Sequence, residues 1–158
     1  MMSKYNLKGF LKDFIEIILV IIQFLIISLH FIKFEFIQKI EIIQGNSIFS
    51  FLGFLIIIIG SIIILFAIKD LGSNLSPLPR PTANGNLITS GIYRFIRHPM
   101  YYSLILISLG VFIIKLSFYY LCLTISLTLV IKFKIILEEQ YLNNKFKNYL
   151  SYKDKVKY

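Results

Sequence analysis

Charge is scarce in this chain. Only 16% of its 158 residues are charged, while 57% are hydrophobic and 16% aromatic. Soluble domains carry about 25% charged and roughly 45–50% apolar residues, so an ordinary soluble globular protein is excluded. A disordered chain is excluded as well, because disorder requires few hydrophobics. The single cysteine, Cys122, rules out an internal disulfide and a cysteine-based metal site. It lies in an apolar run and is expected to be a small core residue. With two histidines in the chain, no metal centre is expected. Alanine occurs only as Ala67 and Ala83. The basic front of Lys4, Lys8 and Lys12 therefore has no small-residue cleavage site after it, and a retained helix is expected instead of a signal peptide. No G-x-G-x-x-G motif follows a strand pattern, so no Rossmann-type site is expected.

Acidic residues are the scarcer sign: eight against seventeen Lys and Arg, a net charge of +9. On so apolar a chain this excess points to cytoplasmic membrane flanks and away from nucleic acid. Four apolar runs are present: Phe14 to Ile32, Ile48 to Ile68, Met100 to Ile114, and Leu116 to Ile131. The first covers about 28 Å as a helix, close to the ~30 Å hydrocarbon core. Only Lys115 separates the third from the fourth, which predicts a tight helical hairpin. Beyond Ile131 the fourth run continues as an amphipathic helix toward Tyr141.

The fold expected is an all-α integral membrane protein with four transmembrane helices in one domain, residues 1–158. Residues 1–68 hold two helices. Residues 69–158 hold a loop, the hairpin and a helical tail. With both termini cytoplasmic, fourteen of the seventeen Lys and Arg fall inside, leaving Lys33, Lys39 and Lys115 outside.

Several polar features stand out against this background. Glu16, Gln23 and His30 recur every seven residues, two helical turns, and so share one face that should point into the bundle. The plain reading is interhelical hydrogen bonding; a proton path is the sharper one. Gly53 and Gly60 share a face of the second helix. Cys122 and Ser126 form a small-residue pair, read like the glycines as a packing surface. About thirty residues from Lys69 to His98 show no helical period, and structureless loops of that length are usually functional or disordered. Arg94 and Arg97 are expected at the membrane surface, anchoring phosphate headgroups. On the tail, Lys134 and Glu138 are four apart and share a face suited to an ion pair, while Glu139 is turned about 100° away. The hairpin brings the start of its first helix, Arg97-His98-Pro99, beside the end of its second. His98 and Glu138 should therefore lie close together.

The ordered set Leu87-Ile88-Thr89-Ser90-Gly91-Ile92-Tyr93, Arg97-His98-Pro99-Met100-Tyr101, Glu138-Glu139 with Leu142, and Phe146 to Lys153 resembles the isoprenylcysteine carboxyl methyltransferase family. It also resembles the related bacterial membrane methyltransferases and phospholipid methyltransferases. The resemblance spans roughly Lys69 to Val156. It implies a multi-pass membrane enzyme that uses S-adenosylmethionine in a cytoplasmic pocket made by the loop, the hairpin and the tail. Carried over by position, Gly85, Asn86, Leu87, Ile88, Tyr93, His98, Pro99, Met100, Tyr101 and Glu138 would line the cofactor pocket. Lys134 and Glu139 would face the acceptor. Lys134 stands where eukaryotic members have an arginine; the charge is kept and the bidentate fork is lost.

The resemblance implies methyl transfer to an amphiphilic, lipid-like acceptor, with a prenylcysteine carboxylate foremost and a phospholipid amine as the alternative. A carboxylate is already ionised at pH 7 and needs no base. An amine must lose a proton, to Glu139 or His98. Two other classes share part of the pattern: a nicotinamide-dependent membrane reductase, and a small four-span transporter using Glu16. Crosslinking to labelled cofactor separates the first. Truncation after Leu137, compared with substitution of Glu16, separates the second. The charge bias predicts that a reporter fused after Tyr158 is active on the cytoplasmic side; activity only on the far side would reverse the topology.

Overall fold

The computed structural model describes residues 3–32 and 47–157. Five helices make up the fold among these residues: α1 (Ser3–Leu29), α2 (Ser47–Leu71), α3 (Pro99–Lys115), α4 (Phe118–Lys145) and α5 (Tyr149–Lys155). Lys33 and Lys39, expected on the outer side, lie outside the described residues.

Among the described residues, two helices are long and apolar enough to cross a membrane. Mean hydropathy reaches 3.1 in the stretch Ser47–Asn74 and 2.0 in Phe118–Lys145. In water the isoleucine run Ile56–Ile59 would be a mediocre helix former. In lipid the backbone has no other partner for its N–H and C=O groups, and the helix becomes obligatory. The expectation of four spans is thus met in two helices. In α1, Lys12 and Asp13 stand just before the apolar run, Glu16 lies within it, and the helix ends at Leu29. α3 has 17 residues, about 26 Å, and falls short of the ~30 Å core. Large side chains such as Phe14, Ile21 and Leu25 on α1 and Phe51, Leu65 and Phe66 on α2 are exposed. An apolar surface of this extent belongs against lipid.

α2 and α3 pack antiparallel through their glycines. A Cβ on Gly53 would lie 2.6 Å from the Gly110 carbonyl, one on Gly110 would lie 2.7 Å from the Gly53 carbonyl, and one on Gly60 would lie 3.1 Å from the Ser103 carbonyl. The two backbones approach until only hydrogen fits between them, as small-residue packing in membranes requires. The hairpin is as tight as expected. Leu116 turns the chain in the left-handed region at φ 44°, and its N–H closes on the Phe112 carbonyl at 2.7 Å. Ser108 and Thr124 hydrogen-bond across the hairpin at 2.8 Å.

α1 packs on α4, and its polar face is used throughout. Glu16 accepts from the Tyr141 hydroxyl, and Gln23 accepts from Lys134 Nζ at 2.6 Å. His30 Nε2 meets the Ser108 hydroxyl at 2.8 Å and its ring lies 6.2 Å from that of Tyr120. Tyr141, Lys134 and Tyr120 are themselves spaced by seven or fourteen, so the two helices meet along matched two-turn repeats. Ile26, Tyr120, Leu123, Leu127 and Ile131 form the buried core beside this seam. The opposite side of α4 faces outward. Cys122 and Ser126 are exposed there and do not form the core position and packing pair expected of them. The buried stripe runs through residues 120, 123, 127, 131 and 134 instead.

The glycine crossing gives a test. Gly110→Ala puts a methyl group against backbone that cannot yield, and should destabilise the protein by about 1–3 kcal/mol in thermal unfolding in detergent. Gly9→Ala, where a Cβ meets nothing within 4 Å, is the control. It should be neutral or gain about 0.5–1 kcal/mol from the helix preference for alanine. Equal melting of the two variants would mean that the crossing is not tight.

Candidate active site

The segment between α2 and α3 has little regular structure, yet side chains pin it along its length. At its end, Asp70 accepts the Ile92 N–H at 2.7 Å. Gly91 sits there at φ +59°, and a Cβ on it would collide with the Asp70 carboxylate. Only glycine suits both constraints. The 3-10 turn Gly91–Arg94 that follows buries Tyr93. In the middle, Pro79 is fully buried. Arg80 spans Asp13 at 3.0 Å and the buried Glu16 at 3.1 Å. Lys134 donates to the Pro77 carbonyl at 3.1 Å. Lys145 donates to the Thr82 and Ala83 carbonyls at 2.5 and 3.0 Å. Asn84-Gly85 forms a tight turn that closes with Gly85 N–H on Thr82 C=O at 2.9 Å.

His98 stands at the N-cap of α3, with Pro99 as the first helical residue. Its ring is buried and stacks on Tyr101 with centroids 5.9 Å apart. Nε2 lies 3.4 Å from a Glu139 oxygen, and Nδ1 lies 3.8 Å from a Glu138 oxygen. The hairpin argument from sequence therefore holds. The two carboxylates nonetheless do different things. Glu139 is an ion-pair hub, with Arg97 at 2.9 Å and Lys153 at 2.6 Å. Arg97 also donates to the carbonyls of Lys153 and Val156. Arg97 thus clasps the C-terminal helix instead of anchoring headgroups, while Arg94 is exposed. α5 in turn reaches back: the Tyr152 hydroxyl donates to the Tyr93 carbonyl at 2.6 Å. Burial holds the Tyr93 and Tyr149 phenols well above their usual range, helped by nearby carboxylates, and pushes Tyr152 up to about 12. All three stay neutral at physiological pH.

These pieces enclose a cavity of about 380 Å³, within the range of small-molecule sites. Asn86, Leu87, Ile88, Tyr93, His98, Met100, Tyr101, Lys134 and Glu138, all named from the sequence, line this one cavity. Three residues expected there do not line it. Gly85 is taken up by the turn, Pro99 is buried as the first residue of α3, and Glu139 points away toward α5. Lys134 is 2% exposed, which excludes snorkelling to the headgroups. Its ammonium bonds Gln23 and Pro77 and lies 5.2 Å from the Tyr101 ring. No salt bridge joins it to Glu138 among the described residues. Gln23 and Arg80 also reach the lining, as do Tyr149 and Tyr152. The seven-residue repeat marked Gln23 as inward-facing; nothing local marked the tyrosines. One end of the cavity lies between helices at Phe24, Ile27, Ile64 and Leu104, and the other lies at His98, Glu138 and Tyr149.

The profile of the phospholipid methyltransferase family matches residues 48–149, well over half the chain. The protein is a membrane methyltransferase that uses S-adenosylmethionine. More particularly, it belongs to the phospholipid methyltransferase family. No curated protein matches the chain. Membership displaces the reductase and transporter readings. Glu16, the transporter's supposed coupling charge, is spent on Arg80 and Tyr141.

Glu139 generates the prediction here. Glu139→Ala removes the carboxylate shared by Arg97 and Lys153, a loss of about 1.5–3 kcal/mol for charge-assisted bonds. Hydrogen exchange of the α5 amides should speed up by roughly ten- to a hundredfold while α2 is unaffected. Unchanged α5 protection would show that the clasp does not hold the helix.

Proposed function

We propose that the enzyme methylates the amine of a phospholipid headgroup. The observation that carries this is the single cavity joining an apolar interhelical end to a polar end that holds His98 and Glu138. An acyl-bearing acceptor fits such a cavity with its chains between helices and its head at the polar end.

The lining suits S-adenosylmethionine. The Tyr149 hydroxyl is buried without a hydrogen-bond partner among the described residues, a group that waits for one. The faces of Tyr93 and Tyr101 suit adenine or a sulfonium cation. Backbone groups at Asn86–Ile88 suit the adenine edge, and the Glu138 carboxylate suits hydroxyl or ammonium donors. When bound, S-adenosylmethionine supplies an electrophilic methyl group. The protein's part is to align the acceptor nitrogen, exclude water and take up a proton.

An ammonium headgroup must be deprotonated before its nitrogen can attack. Glu139 lies off the cavity and is engaged by Arg97 and Lys153, which removes it from that role. His98 suits it better. A carboxylate only accepts hydrogen bonds, so the Glu139 contact at 3.4 Å favours the proton on Nε2; Nδ1 faces the Glu138 carboxylate at 3.8 Å, beyond hydrogen-bonding distance, and keeps its lone pair. Glu139 is then the positioning group.

Detergent-solubilised enzyme with methyl-labelled S-adenosylmethionine should label phosphatidylethanolamine at nitrogen. Base-labile label on a prenylcysteine analogue, with none on the phospholipid, would restore the carboxylate reading. His98→Asn should lower turnover of the amine by about 10²–10⁴-fold. Wild-type turnover in that variant would exclude His98 as the base.

A further inference from the structure

Gln23 belongs to α1, outside the stretch that the family profile covers. It is 7% exposed and lines the cavity. A lysine ammonium donates hydrogen bonds and cannot accept them. The 2.6 Å contact with Lys134 Nζ therefore fixes the Gln23 carbonyl oxygen toward Lys134. Its NH2 group is left with no hydrogen bond among the described residues, on a side chain more than nine-tenths buried. Lys134 spends two of its three protons, on Gln23 and Pro77. What remains is a set of donors only: one ammonium N–H and an amide NH2, side by side in a buried cavity.

Resting on the acceptor reading above, we infer that Gln23 and Lys134 form a binding site for the phosphodiester of the lipid acceptor. The two non-bridging oxygens of a phosphodiester share one negative charge and accept hydrogen bonds. The pair offers them one cation and a neutral donor, and Gln23 holds the cation in place. Glu138 follows Lys134 by four residues, a rise of about 6 Å along α4. A two-carbon linker with bonds of about 1.5 Å separates phosphate from amine by a comparable reach. The helix therefore presents a cation and then an anion, one turn apart, to a headgroup carrying an anion and then a cation. The amine end of that headgroup falls beside His98 and Glu138, where its proton must leave. The apolar end of the cavity at Phe24, next to Gln23, and Ile27, one turn further along α1, is left for the acyl chains.

The test uses dioleoylphosphatidylmethanol, a phosphodiester lipid with no amine, so binding is read apart from methylation. Native mass spectrometry of the full-length protein in detergent should show it bound about tenfold or more tighter than dioleoylglycerol. Equal binding would overturn the inference without any substitution. Dimethyl phosphate, which lacks acyl chains, should bind far more weakly; binding as tight as the lipid's would make this a soluble-anion site and overturn the lipid assignment. Gln23→Glu keeps an acceptor for Lys134 and removes the donors. It should lose about tenfold or more in phosphatidylmethanol binding and raise the acceptor KM, with S-adenosylmethionine affinity unchanged. Unchanged lipid binding in that variant would reduce Gln23 to a docking residue for α1. If wild-type enzyme binds phosphatidylmethanol as expected yet methylates no phospholipid amine, the acceptor reading fails and the phosphodiester site stands.

Discussion

A buried ammonium group organises this protein. Taking a lysine charge out of water costs several kcal/mol unless partners replace the lost hydration. Lys134 finds them on three other segments: the Gln23 carbonyl on α1, the Pro77 carbonyl in the loop, and the Tyr101 ring on α3. Each segment is thereby fixed relative to α4. The loop needs this most, because three prolines between residues 77 and 81 remove N–H donors that regular structure would use. Its carbonyls still require donors, and Lys134 and Lys145 supply them at Pro77, Thr82 and Ala83.

The opposite wall is closed by the same means with the signs exchanged. Glu139 gathers Arg97 and Lys153 and braces His98. Arg97 carries the constraint on to Val156, just past α5. α5 has seven residues, too few for an isolated helix to persist in water. It is held by this clasp and by the packing of Tyr149, Tyr152 and Val156. The cavity wall it forms is therefore a product of tertiary contacts. One carboxylate of the adjacent pair serves structure, which leaves the other to face the cavity.

Family membership rests on residues 48–149, whereas the cavity also takes side chains from α1. The seam that α1 makes is polar at Glu16 and Gln23, matched on α4, and at His30, matched by Ser108 on α3. A polar seam costs stability relative to an apolar one unless every group is satisfied. It also fixes register, since sliding α1 by one turn would strand all three. Register matters here because it decides which α1 side chain stands beside Lys134.

The helices and the tight hairpin were legible in the sequence, because hydrophobic runs and seven-residue spacing are local properties. So was the meeting of His98 with Glu138, which follows from any short connection between antiparallel helices. The inward face of Glu16, Gln23 and His30 could be read from period alone, though their partners could not. Tertiary structure alone decided the rest. Glu138 and Glu139 differ by 100° on one helix, and only the packing of α5 determines which faces the cavity. Cys122 sits in the same kind of apolar run as Leu123, yet one is exposed and the other buried, because in lipid both sides of a helix are apolar and composition no longer marks the core. Lys134 was readable as a charge near the membrane surface. That it is buried, and shared by three other segments, depends on partners 57 and 111 residues away, a distance over which no local pattern carries information.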